Sequence, residues 1–177
     1  FLRLDWLREQ FHEAEGMPAR QNVVRQLHLN QWVQQATRWI DLGLWDANHA
    51  HPIDETALTG RRCYGGLDLA AVSDLTAWVL LFPCDDDEQS LDVLARFWVP
   101  EGYLERGRQR ALYQQWVRDG VLQTTPGDAI DYAFIRAHVM KDAERFDLVD
   151  LNVDRLFQGQ QLAMELAEEG LQVIPMG

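Results

Sequence analysis

Residues 62 to 82 read Arg-Cys-Tyr-Gly-Gly-Leu-Asp-Leu-Ala-Ala-Val-Ser-Asp-Leu-Thr-Ala-Trp-Val-Leu-Leu-Phe. Two apolar runs, Cys63 to Ala70 and Leu75 to Phe82, are bounded by polar or small residues and read as strands joined by a tight connection. Asp68 lies inside the first run and Asp74 at the start of the second. By period-two alternation Tyr64, Gly66 and Asp68 share one face of the first strand, opposite Cys63, Gly65 and Leu67. The paired glycines would let another backbone or a ligand come close. A carboxylate in that setting is the strongest pointer to chemistry in the chain.

Toward the C-terminus, Leu91 to Val99 is a third strand-like run, and the polar residues 83 to 90 are few enough for a hairpin, so three antiparallel strands are expected. Leu104, Ala111, Leu112 and Trp116 predict a helix over 103–119, closed by Gly120. Thr125 to Asp128 reads as a turn, and Asp128 or Asp131 can cap a helix striped by Tyr132, Ile135, Val139, Ala143 and Phe146. Residues 147 to 153 alternate, with Val149, Leu151 and Val153 on one face and Asp150 and Asn152 on the other; Asp154 ends this strand. A helix carrying Leu162, Ala163, Leu166 and Ala167 follows, Gly170 ends it, and Leu171 to Met176 reads as a last strand. An antiparallel meander followed by strand-helix-strand crossovers implies an α/β fold with one mixed sheet and helices on its faces.

Toward the N-terminus, Leu4, Leu7 and Phe11 recur at helical spacing until Gly16 and Pro18 interrupt. Val23 to Asn30 is a short apolar stretch, with Asn30 placed to cap a helix presenting Trp32, Val33, Ala36, Trp39 and Ile40 and closed by Gly43. Residues 47 to 60 lose all periodicity. Residues 1–60 therefore read as a helical linker region and 61–177 as the start of a domain.

The 177 residues, 47% of them hydrophobic, with seven Trp and seven Phe, can fill one ordinary core. Sixteen basic residues against 28 acidic ones, a formal charge of -12, oppose a broad electrostatic footprint on nucleic acid or an anionic membrane. Any DNA contact must be local or metal-assisted, or come from parts outside these residues. Cys63 and Cys84 form no C-x-x-C pair, which suits buried thiols in a reducing compartment and implies neither a disulfide framework nor a zinc site. No apolar run reaches the roughly 18 residues of a membrane span, and no signal segment opens the chain, so a soluble intracellular protein is expected. A start at Phe1 and a stop just after an apolar run read as the ends of a fragment.

Asp154 stands at the carboxyl end of a strand, where open α/β sheets bind ligands. If that strand neighbours the first, Asp68 and Asp154 can reach one point. Converging carboxylates suit Mg²⁺ or Mn²⁺, hard ions that prefer oxygen ligands, and a pair of such ions roughly 3.5–4 Å apart can drive phosphodiester hydrolysis.

The same residues carry a resemblance. Cys63 to Ala70, then Ser73-Asp-Leu-Thr-Ala77, Phe97-Trp-Val-Pro-Glu101, Thr125-Pro-Gly-Asp-Ala-Ile-Asp-Tyr132 and Val153-Asp-Arg155 resemble, in order, motifs of the large terminase subunit of tailed bacteriophages. Leu27 to Trp32 resembles the stretch preceding its nuclease domain. The resemblance implies a ribonuclease H-like mixed sheet, truncated at its C-terminus, that cuts concatemeric double-stranded viral DNA with two Mg²⁺ or Mn²⁺ ions. It implies Asp68 and Asp154 as catalytic metal ligands, Asp74 as an additional metal position, and a third essential carboxylate beyond Gly177. It implies as partners the small terminase subunit and the portal protein of the procapsid, a ring oligomer of the full-length protein, and work in the host cytoplasm. No G-x-x-x-x-G-K-[ST] loop occurs, so the packaging ATPase belongs to other parts of the parent protein.

Plainer readings stand beside these. Asp74 has good turn chemistry, Asp154 could cap the next helix, residues 85–88 read as a solvated loop, His49 and His51 lack matching carboxylates, and Arg155 reads as a surface ion pair. Trp32, Trp39, Trp78, Trp98 and Trp116 fit core packing better than base stacking. Two other functions are open: a catalytically silent module docking on a portal or the small subunit, and an actin-like phosphotransferase. The latter is weakened because the connection after Asp68 holds no glycine to cradle phosphate.

Overall fold

The runs around Asp68 form strands β1 (Arg62–Asp68) and β2 (Thr76–Cys84) of a computed structural model that describes residues 3–15, 17–30, 40, 42–48, 53–70, 74–84, 87–107, 109–154 and 159–176. The chain divides into two compact units, Phe1–Pro52 and Ile53–Gly177.

The first unit holds α1 (Leu4–Glu15), α2 (Pro18–Leu29) and α3 (Leu42–Ala47). Pro18 occupies the first turn of α2, where the missing N–H costs nothing. Residues 23–29, expected as a short separate stretch, continue this helix, because Val24 and His28 recur one turn apart: Val24 is buried and His28 meets the Trp6 ring edge-on at 5.2 Å. Asn30 ends α2 in the left-handed region (φ 51), and Gly43 lies inside α3 rather than closing a helix. The expected helix face at Trp32, Val33, Ala36 and Trp39, with His49, His51, residues 85–86 and Arg155, falls outside the described residues.

The second unit is built on one mixed sheet, as expected, and the sheet has six strands. It adds β3 (Asp87–Pro100), α4 (Glu101–Arg106), α5 (Arg110–Arg118), β4 (Gln123–Thr125), α6 (Tyr132–Arg145), β5 (Asp147–Asp154), α7 (Gly159–Glu168) and β6 (Val173–Met176), in the strand order β4-β3-β2-β1-β5-β6. β1, β2 and β3 pair antiparallel, while β5 lies parallel to β1, β6 to β5 and β4 to β3. The helix expected over 103–119 is two helices, because Gly107 leaves the helical region (ψ 150) between α4 and α5. β4 is an addition to the sequence reading. Asp131, not Asp128, caps α6: its carboxylate accepts the Phe134 N–H at 3.1 Å, and Asp128 pairs with Arg106.

Alternation sorts the sheet into two faces. Cys63, Leu67, Trp78, Leu80, Phe82, Leu94, Trp98, Leu151 and Val153 point into the core, where Ile135 and Val139 of α6 and Leu162 and Leu166 of α7 cover them. Trp78, Trp98 and Phe82 are fully buried, each worth about 1.5–3 kcal/mol of apolar burial. Residues 54–60, within the expected linker, form turns held on this unit: Leu58 joins the core, and Glu55 accepts hydrogen bonds from Arg96 and Arg145. On the opposite face α5 packs over Val99 through Tyr113, while Leu81, Val93 and Ile174 remain exposed. No helix among the described residues is long and apolar enough to cross a membrane.

Candidate active site

The pairing of β1 with β5 decides where the carboxylates fall. It begins as Cys63 opposite Leu148, slips by one residue before Tyr64, and continues as Tyr64–Asp150, Gly66–Asn152 and Leu67–Val153. One residue further along each strand stand Asp68 and Asp154. Without the slip, Val153 would lie beside Asp68. The extra residue, Val149, is absorbed by the bulge, and Leu148 rather than Val149 packs on the core, which corrects the simple alternation expected there. Neighbouring strands are roughly 4.8 Å apart, so the two carboxylates project from adjacent strand ends on the same face.

The surroundings hold this geometry. Asn152 Nδ2 donates to the Gly65 carbonyl (3.4 Å) and to Asp150 Oδ1 (3.3 Å), tying β5 to β1 on the site face. Beyond Asp68 the chain turns into the core: Leu69 and Ala70 are buried, the Ala70 N–H donates to Thr76 Oγ1 (3.1 Å), and the Tyr132 hydroxyl donates to the Ala70 carbonyl (3.0 Å). α7 starts hard against the end of β5, since a Cβ at Gly159 would run into the Asp154 carbonyl. The two glycines of β1 differ. A Cβ at Gly65 would lie 2.6 Å from Trp78 Cζ3, so Gly65 serves the core, whereas Gly66 faces open space on the site face.

Asp74 occupies a different place. It is exposed in the connection before β2, its Oδ1 accepts the Leu75 N–H at 2.8 Å, and no strand register sets it beside Asp68. It does stand close to Tyr113, whose hydroxyl pKa is raised by burial first, then by Tyr103 and Asp74. Among the described residues no three His, Cys, Asp or Glu side chains gather into a metal-binding group. Two adjacent carboxylates are nevertheless a donor set that fits a hard divalent ion, with water completing the shell.

Two carboxyl-bearing elements escaped the sequence reading. Asp142 of α6 is 5% exposed and accepts from Trp78 Nε1 (3.0 Å) and from Arg96 Nε and Nη2 (2.7 and 2.9 Å). Its partners are 46 and 64 residues away, so no local pattern signals it. The second is Glu55, which Arg96 and Arg145 clamp from β3 and α6.

A family model for the terminase large subunit, endonuclease domain, matches residues 2–176. The chain is 39% identical over 148 residues, 82% of its length, to the terminase large subunit of Enterobacteria phage HK97, and 27% identical over 175 residues to protein YmfN of Escherichia coli K12. The crystal structure of the HK97 bacteriophage large terminase superposes over the whole chain with a TM-score of 0.64 at 35% identity. The chain spans 28% of the HK97 protein and 38% of YmfN. The mixed sheet is thus the ribonuclease H-like sheet that the sequence implied, and the chain belongs to the terminase large subunit endonuclease domain family.

Proposed function

We propose that this chain supplies the catalytic centre with which a terminase large subunit cuts concatemeric double-stranded viral DNA during packaging. The observation that carries this reading is the bulged β1–β5 register, which sets Asp68 and Asp154 side by side at the strand ends. In the proposed role both carboxylates hold Mg²⁺ or Mn²⁺, with Asp74 as an accessory and a further carboxylate from outside these residues. Bound as a pair, such ions supply an activated water and neutralise charge on the cleaved phosphodiester. The chain's own contribution is position. Asn152 fixes the spacing of the strands, Tyr132 and Thr76 fix the turn after Asp68, and Gly66 leaves the face open to substrate. The small terminase subunit, the portal and a ring of full-length copies in the host cytoplasm are the proposed partners and setting.

A plasmid-nicking assay of the parent protein tests this reading. Mn²⁺-dependent cleavage should fall by at least about 100-fold in Asp68→Asn and in Asp154→Asn, the loss of roughly 2.7 kcal/mol or more in transition-state stabilisation. Full cleavage by either variant would remove the assignment. A silent docking module is the second reading, favoured by the absence of a three-ligand cluster among the described residues. It predicts a parent protein whose cleavage ignores both substitutions.

A further inference from the structure

The helices laid over the site face run against the acidic balance of the chain. Residues 103–118 hold four arginines and a single glutamate, in a chain of formal charge -12. The segment spans most of α4 and all of α5, and its seat is defined. Asp68 pairs with Ala77 across β1–β2, and Ala77 with Phe97 across β2–β3. Phe97, Val99 and Leu75 pack with Tyr113, Trp116 and Val117 of α5, so the helix rests on the same sheet face as the two carboxylates and against the connection that holds Asp74. Tyr113 stacks on Trp116 at 5.3 Å and lies 5.6 Å from Tyr103, which fixes α5 on α4.

The described arginines of this unit divide by partner. Arg61, Arg62, Arg96, Arg106, Arg136 and Arg145 all pair with carboxylates. Arg110 and Arg118, at the two ends of α5, are exposed and make no ion pair among the described residues; Arg118 donates only to Gln115 Oε1 at 2.7 Å. Cations left without a carboxylate in an acidic protein keep their charge available to an outside anion. α5 rises about 12 Å from end to end, close to the width of a DNA major groove, so its terminal arginines can reach phosphates on either side of one groove.

We propose that α5 is a phosphate clamp that positions duplex DNA against the Asp68–Asp154 pair, with Arg110 and Arg118 as its contacts. The inference rests on the nuclease reading, because duplex DNA is the anion that reading brings to this face. Arg110 and Arg118 are positioning residues; they touch the backbone away from the cleaved bond and carry no sequence preference.

The test is binding of the whole chain to a fluorescent random-sequence duplex, followed by anisotropy across a salt series. Each phosphate contact contributes about 0.9 to the slope of log K against log salt. Arg110→Gln with Arg118→Gln should make the slope shallower by about 1.8 and weaken low-salt binding several-fold. Arg110→Lys with Arg118→Lys should keep the slope, and Lys141→Gln, on α6 behind the opposite sheet face, should leave it at the wild-type value. Thermal melts of the variants show whether they remain folded. An unchanged slope in the double Gln variant overturns the clamp and leaves the nuclease reading to the Asp68→Asn cleavage assay. A wild-type chain with no salt-dependent duplex binding also overturns it, as does binding of polyglutamate in place of duplex, which would assign α5 to an acidic protein partner.

Discussion

Asp142 and the pair Asp68–Asp154 are carboxylates on opposite sides of one sheet, and they differ in what answers their charge. Asp142 is buried and met by Arg96 and the Trp78 indole, so its charge is spent inside the fold. Asp68 is exposed, and no hydrogen bond or ion pair engages it among the described residues; Asp154 is half-buried at the adjoining strand end. A carboxylate satisfied by the fold is a structural element. Asp68, exposed at the end of β1, turns its charge toward solvent.

The comparison breaks first at Asp142. Asp142→Ala would take from a guanidinium only 16% exposed its more buried carboxylate, leaving it Glu55 alone, and would leave the Trp78 N–H without its acceptor; disrupting such a buried pair costs up to about 3–5 kcal/mol. Asp68→Asn should change stability by less than about 0.5 kcal/mol. Chemical denaturation of the two variants measures both, and equal losses would erase the distinction.

A finer cut separates the two glycines of β1. Gly65→Ala drives a methyl into the Trp78 indole and should cost about 1–3 kcal/mol, whereas Gly66→Ala meets open space and should be neutral or stabilise by up to about 1 kcal/mol. Denaturation midpoints should move in that order.

The smallest effect concerns pH. The Glu55 pKa is held below its ordinary value, chiefly by the hydrogen bond from Arg96. A carboxyl group with a depressed folded pKa contributes stability above its unfolded value and loses it as the pH falls through the folded value. Amide protection of the 54–60 turns should therefore drop as the pH falls below about 4.5, and Glu55→Gln should flatten that dependence.

Much of this could be read before the structure, and the omissions have physical causes. β1, β2, β5 and α6 announce themselves by alternation or by an apolar stripe, because each buries one face. β4 has three residues and exists only through its pairing with β3, so there is no period to detect. Leu148 and Val149 are both apolar, and only the pairing with β1 decides which one faces the core. The break at Gly107 depends on a glycine inside an otherwise helical pattern, which propensity alone tolerates. Asp68 is legible as an acid inside the first apolar run and Asp154 as a strand-end acid. Their adjacency required the sheet order and the bulge, both set by contacts more than 80 residues apart.

Calorimetric titration of the chain with Mn²⁺ tests the central claim most directly, because it asks about the carboxylate pair without depending on cleavage. Wild-type chain should bind the ion, and Asp68→Asn and Asp154→Asn should each weaken binding by about tenfold or more while the fold persists, in line with the cost of disturbing a metal's ligand set. Equal affinity in wild type and both variants would contradict the account.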